Sequence, residues 1–230
     1  MSGNHKTSPT IRVDFISDIA CPWCAVGLGH LEQAIAKMDQ LGHAVDFEIH
    51  FWPFELNPQM PLGGQEVIEH LTEKYGMTVE QVKANQAVIR ERAKAAGFAF
   101  HPEGRKWVYN TFHAHRLLHW AGKLFGLKAQ YRLKRELLKT YFTLAVSLDD
   151  PENLLDAVER AGLDRKAAAF ILQGNQYTDE VREAQTKYLQ MGVHSVPTFI
   201  LNHQYLIQGA QPPETLVESF QGLLKEQAGS

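Results

Sequence analysis

The chain has only two cysteines in 230 residues, and both fall in one four-residue segment, Cys21-Pro22-Trp23-Cys24. No structural disulfide can form elsewhere, and one chain cannot supply a four-cysteine zinc site. An isolated Cys-x-x-Cys is open to three readings: a redox-active dithiol, half of a zinc knuckle, or two unrelated buried thiols. What flanks the motif decides among them.

Upstream, Ile11 to Ser17 reads as a short buried strand with Ile11, Val13 and Phe15 on one face, followed by a brief turn to Ala20. Downstream, Val26, Leu28, Leu31, Ile35, Met38 and Leu41 recur at helical spacing, and Gly42 stands where a C-terminal cap is expected. Val45, Phe47, Ile49 and Phe51 then alternate with polar residues and with Trp52, as in a half-buried strand. The cysteines therefore sit at the mouth of a helix between two strands, which is the setting a redox dithiol requires. Backbone N–H groups without intrahelical partners, and the positive end of the helix dipole, favour a thiolate at Cys21. Pro22 suits the first helical position. Cys24 lies one turn on, close enough to meet Cys21, and is expected to be the more buried sulfur. The roles that follow are Cys21 as nucleophile forming a mixed disulfide and Cys24 as the resolving thiol.

From about Gly64 to Gly192 the chain carries helix signals and almost no strand signals. Thr78 with Gln81 forms a capping box before Val82, Val88 and Ile89, and Gly97 closes that run. Leu127 to Ala145 holds Tyr131, Leu137, Leu138, Tyr141 and Phe142 at helical spacing. Asp150-Pro151-Glu152 reads as cap, first-turn proline and acidic first turn, and Asp164 and Thr178 are candidate caps of two more helices. Strand chemistry returns in Thr198 to Leu201 and Tyr205 to Ile207, a hairpin around Asn202-His203-Gln204, and Pro212-Pro213 opens a last helix. This order is an α/β chain with a thioredoxin-like fold: a central mixed sheet flanked by helices, carrying a large inserted all-helical domain. The expected division is 11–62 for the first thioredoxin-like part, 63–177 for the helical insertion, and 178–226 for the second part.

Composition narrows the partners. A hydrophobic share of 44% with 21% charged residues is that of a globular protein, and a net charge of -3 gives no basic surface for nucleic acid. No apolar run approaches membrane-spanning length. Met1 to Thr10 is polar and has no signal-peptide core, so a cytoplasmic location is expected.

Other side chains invite two readings each. Asp18, three residues before Cys21, suits a turn or cap carboxylate better than a proton relay to Cys24. His113, His115 and His119 lack nearby carboxylate or cysteine ligands in sequence and read as ordinary helix-face histidines, so no metal site is expected. Trp52, Phe54 and Trp107 can line an apolar substrate groove, although core packing is the simpler role for any one of them. Arg132, Lys134, Arg135 and Lys139 read as a solvated basic helix face.

Four segments together resemble one family. Phe15 to Cys24 resembles the active-site segment of DsbA-like thiol–disulfide oxidoreductases, and more narrowly that of the cytoplasmic FrnE-type branch, in which Cys-Pro-Trp-Cys is the familiar form. Pro53-Phe54-Glu55-Leu56-Asn57-Pro58, Asn110-Thr111-Phe112-His113-Ala114-His115-Arg116-Leu117 and Gly192-Val193-His194-Ser195-Val196-Pro197-Thr198-Phe199 resemble further segments of that branch. The likeness runs from about residue 11 to 225. It implies a cis bond before Pro197, facing the dithiol, with Val196 offering its backbone to substrate. It also implies that no metal or organic cofactor is needed and that substrates are proteins or small thiols, with glutathione as a co-substrate candidate. Trp23 stands where periplasmic relatives have histidine, which implies a less extreme oxidant. Related isomerases and kappa-class glutathione transferases place serine at the position of Cys21. The alternatives are a glutathione-dependent isomerase or transferase of the same fold, and a redox-independent chaperone that binds apolar peptides.

Overall fold

The computed structural model describes residues 8–229. Most of the polar segment Met1 to Thr10 lies outside the described residues. Strand β1 (Thr10–Ser17) leads into helix α1 (Pro22–Gln40) and strand β2 (Asp46–Pro53), with β1 and β2 parallel. At the other end of the chain, β5 (Thr198–Leu201) pairs antiparallel with β1 and with β6 (Tyr205–Gln208), and α9 (Pro213–Gly229) follows. The sheet order is β2-β1-β5-β6, a mixed sheet of the thioredoxin type.

Alternation along β1 divides the two faces of this sheet. Ile11, Val13 and Phe15 enter the main core with Leu28, Leu31 and Phe220, while Ile16 joins Ile200, Val193 and Tyr188 on the opposite face. Phe15 holds β2, β1 and β5 in register. It stacks on Phe199 at 4.5 Å and tilts against Phe51 at 5.6 Å, and both are its direct cross-strand partners.

Between the halves run α2 (Val67–Tyr75), α3 (Val79–Ala95), α4 (Phe112–Phe125), α5 (Leu127–Leu138), α6 (Pro151–Arg160), α7 (Arg165–Gln173) and α8 (Thr178–Gln190). The Thr78–Gln81 capping box and the Asp150 and Asp164 caps form as expected. Thr178 is not a cap: Tyr177 takes that position with φ 64° and makes no side-chain cap bond. The helical run from Leu127 ends at Leu138 and continues as one π-helical turn, Lys139–Thr143. Two strands absent from the sequence reading, β3 (Gln65–Glu66) and β4 (Trp107–Val108), form a two-residue ribbon too short to show a period. Leu41 and Val88, expected on buried faces, are exposed.

The helical segment is welded to the sheet. The Gln130 side-chain amide accepts from Phe51 N–H and donates to Phe51 C=O, both at 3.1 Å, and so closes the outer edge of β2 as a neighbouring strand would. Arg116 is buried and donates to the carbonyls of Ile171, Gly174 and Gln176, which ties α4 to the exit of α7. On the other side, α1 approaches the end of α3 so closely that a Cβ on Gly29 would lie 1.9 Å from the carbonyl oxygen of Ala96.

That contact sets a prediction with two opposing terms. Gly→Ala in a free helix interior stabilises by about 1 kcal/mol. A clash with backbone costs at least the upper end of the ~1–3 kcal/mol range seen for overpacked cores. Gly29→Ala should therefore destabilise by about 2 kcal/mol or more in urea unfolding. A variant as stable as the parent would show that α3 is free to move away from α1.

Candidate active site

Cys21 is the N-cap of α1 and Pro22 its first residue, so the helix begins at the first cysteine of the motif without a side-chain cap. Both cysteines are free thiols; Cys21 is 4% exposed and Cys24 0%. The Cys24 N–H donates to Cys21 C=O at 3.0 Å, which turns the second sulfur in beneath the first. Trp23 projects outward, 39% exposed. The Val196–Pro197 bond is cis, and the Cys21 thiol donates to the Val196 carbonyl at 3.7 Å. Gly27 is what lets this loop sit on the helix, because a Cβ there would meet Pro197 Cγ at 3.0 Å.

A buried polar cluster lies under the sulfurs. Asp18 is fully buried and accepts from Ala20 N–H at 3.2 Å and Leu56 N–H at 2.7 Å. His115 Nε2 lies 3.3 Å from Asp18 Oδ1 and 2.9 Å from Phe54 C=O. Both partners are acceptors, so Nε2 carries a proton in this arrangement. Burial pushes the Asp18 carboxyl up, but His115, the Leu56 N–H and Thr111 outweigh it and hold the group below the usual carboxylate range. The Asp18 side chain accepts from the turn that follows it, and its backbone also contributes to the site. A hydrogen bond from the Asp18 backbone lowers the Cys24 pKa, which only a donating N–H can do. Burial, followed by contact with Cys21, drives the Cys24 thiol well above its ordinary value against that bond.

Lys134 departs most from the sequence reading. It is 0% exposed rather than solvated, and its Nζ has no hydrogen-bond partner. The ammonium lies 5.9 Å from the Phe51 ring centroid, and burial pulls its pKa down to about 8. The charges that act back on it are those of Cys24, Asp18 and Cys21. Its own charge favours the Cys24 thiolate. His115, read as a helix-face residue, is likewise buried. A helical period reports one element's own pattern, so neither burial was visible in it. The remaining basic face is also engaged: Arg135 pairs with Glu32, Arg132 donates to Ala161 C=O, and Lys139 lies 3.7 Å from Glu136.

A cavity of about 370 Å³ opens beside Cys21, lined by Trp23, Leu56, Asn57 and Val196 together with residues of α2 and α3. Trp52, Phe54 and Trp107 are not in its lining. The Trp52 indole donates to Asp14 at 2.7 Å and tilts on Tyr188, and Phe54 packs with it on the opposite sheet face. Trp107 is exposed on β4. His113 Nδ1 accepts from Arg116 at 3.0 Å, and His119 tilts over Tyr177 at 5.5 Å. Among the described residues no His, Cys, Asp or Glu cluster is arranged to hold a metal ion, and no helix is long and apolar enough to cross a membrane.

Comparison with known proteins agrees with this architecture. The profile of the DSBA-like thioredoxin domain matches residues 12–221. A probable DsbA oxidoreductase from Streptomyces coelicolor, SCO1869, superposes with a TM-score of 0.84 at 33% identity, over 94% of this chain and 91% of that one. The Bacillus subtilis protein YwbO is 25% identical over 205 residues, 84% of this chain and 87% of its own. The cytosolic disulfide reductase DsbM of Pseudomonas aeruginosa, solved with GSH, shares the fold with a TM-score of 0.58 at 16% identity, over 95% of this chain and 100% of that one.

Lys134 yields a prediction in which stability and chemistry move oppositely. Folding disfavours the ammonium, so the unfolded chain binds more protons between about pH 8 and pH 10.5, and stability rises across that window. Lys134→Met should abolish the rise and stabilise the protein at pH 7 by about 3 kcal/mol, since each pKa unit is worth about 1.4 kcal/mol. The same variant should raise the Cys24 pKa further, which the pH dependence of thiol alkylation reads. Equal or lower stability at pH 7 would show that the ammonium is compensated in the fold.

Proposed function

The chain belongs to the DSBA-like thioredoxin domain family, and from that premise we propose that it exchanges disulfides through Cys21 and Cys24. In the reducing direction the Cys21 thiolate attacks a substrate disulfide, forms a mixed disulfide and releases one substrate thiol. Cys24 then gives up its proton and attacks the Cys21 sulfur, which releases the second thiol and leaves an intramolecular disulfide. The oxidising direction is the same sequence reversed. The observation that carries this reading is the stacking of two free sulfurs at the mouth of α1, the outer one against the Val196 carbonyl and the inner one sealed.

Each neighbour has a part in this reading. The carbonyl of Val196 beside cis Pro197 is an edge on which an extended substrate can pair. Pro22 starts the helix and Trp23 is the exposed apolar contact next to the attacked sulfur. Asp18 and Lys134 make formation of the Cys24 thiolate affordable by a fixed N–H and a fixed positive charge. The segments 11–62 and 178–226 form the redox unit and 63–177 the helical insertion that covers it. Proteins and small thiols are the substrates, and glutathione is the co-substrate this reading assigns, in a cytoplasmic setting of the FrnE-type branch. The glutathione found with DsbM is a precedent on the same fold.

Trapping distinguishes the two sulfurs. Cys24→Ser should accumulate a stable mixed disulfide with a substrate disulfide, located on Cys21 by mass spectrometry. Cys21→Ser should form none and lose exchange activity by at least about a thousandfold, comparable to removal of other covalent nucleophiles. An adduct on Cys24 in the Cys21→Ser protein at the parent rate would reverse the roles.

A further inference from the structure

The cavity beside Cys21 holds two arginines and no carboxylate in its lining. The chain has 26 acidic residues against 23 basic ones. Arg12, Arg135, Arg160, Arg165 and Arg182 each pair with a carboxylate. Among the described residues Arg90 and Arg105, which line the cavity, form no ion pair, and no Asp or Glu lines the cavity with them. Its remaining wall is largely apolar, with Met77, Val82, Ile89 and Phe100 facing the same space as Cys21.

Arg105 is held ready. Its guanidinium lies over Tyr141 and Phe142, 5.3 and 5.2 Å from the ring centroids. Its Nε is buried and has no partner. The packing fixes the plane of the guanidinium and seals Nε away from the cavity, so a ligand in the cavity can meet the Nη groups but not Nε. The acceptor that matches its fork is a carboxylate, bound through two parallel N–H groups. The volume, about 370 Å³, is that of a small-molecule site rather than of a trace on a flat surface.

We propose that this cavity is the substrate site for low-molecular-weight disulfides and thiols that join an apolar, ring-sized group to a carboxylate, with Arg105 as the carboxylate's partner and Arg90 beside it. The proposal rests on the redox reading of Cys21 and Cys24 and names the substrate class for that same site. The apolar group lies against Met77, Val82 and Phe100, the carboxylate on Arg105, and the sulfur at Cys21. For a disulfide RSSR the reaction balances without any further reactant. The protein dithiol gives two electrons and two protons, RSSR becomes two RSH, and the Cys21–Cys24 bond replaces the substrate S–S bond.

The test is a single turnover of the reduced protein, followed by absorbance, with two aromatic disulfides. Dithiobis(nitrobenzoate) carries carboxylates, and dithiodipyridine does not. In the parent protein the rate with the first should saturate. Arg105→Gln should lower its second-order rate constant by about tenfold or more, equivalent to about 1.4 kcal/mol, and leave the rate with dithiodipyridine within about twofold. Lys106→Gln removes one positive charge next in sequence, on a side chain 71% exposed and outside the cavity, and should leave both rates unchanged. Equal slowing of both disulfides by Arg105→Gln, or equal effects of Arg105→Gln and Lys106→Gln, overturns the proposal. A second measurement needs no variant. Naphthoate should protect Cys21 of the parent protein from alkylation, whereas neutral naphthamide at the same concentration should not; equal protection by both, or by neither, also overturns it. Failure of the underlying redox reading looks different: Cys21→Ser would then consume both disulfides at the parent rates.

Discussion

The Asp18 carboxylate, sealed beneath the dithiol, is the interaction on which the rest of the site depends. An ionised carboxylate removed from water is costly unless each lone pair finds a donor. Its donors come from three separate parts of the chain: Ala20 in the turn before Cys21, Leu56 in the loop after β2, and Thr111 with His115 at the start of α4. The segment that presents Cys21 is therefore complete only when the helical segment is docked. Glu55, in the same loop, is fixed by Arg182 and Gln185 of α8, and Lys74 of α2 donates to Leu56 C=O and Asn57. One short loop thus receives anchors from the helices on either side of the dithiol.

Lys134 completes the cluster from α5. Its ammonium has no hydrogen bond, and the charges it senses are the two sulfurs and Asp18. A group left unsatisfied at full burial opposes folding, and its compensation is electrostatic support for a thiolate that burial would otherwise suppress. The cost in stability and the support for the Cys24 thiolate have the same origin. Arg105 shows the same pattern at the mouth of the site, where an unsatisfied Nε is kept against two aromatic rings.

What was legible in the sequence follows from the range of each physical signal. The β1–α1–β2 opening, the Asn202–His203 hairpin and the caps at Thr78, Asp150 and Asp164 are encoded within a few residues, and all formed. The position of Cys21 at the start of α1 and the greater burial of Cys24 follow from the same local pattern. Lys134, His115 and Arg116 were not legible, because their burial is imposed by the sheet, the Cys21 turn and the end of α7, far away in sequence. Trp52 shows the reverse case, since core packing was the simpler of its two readings and is what it does. An aromatic at the end of a strand next to the active site suggests a groove, yet its indole N–H is taken by Asp14 and its ring by Tyr188 on the far face of the sheet. The cavity walls came instead from α2 and α3, to which the sequence reading assigned no part in the site.

The central claim is that Cys21 and Cys24 act as one two-electron couple. Equilibration of the purified protein in graded ratios of reduced and oxidised glutathione, with the oxidised fraction read by thiol labelling and mass, tests it directly. A single transition that follows a two-electron curve, between a dithiol and an intramolecular Cys21–Cys24 disulfide, is the result the account predicts. Glutathione adducts that accumulate on Cys21 at every ratio, with no intramolecular disulfide at any, would contradict it.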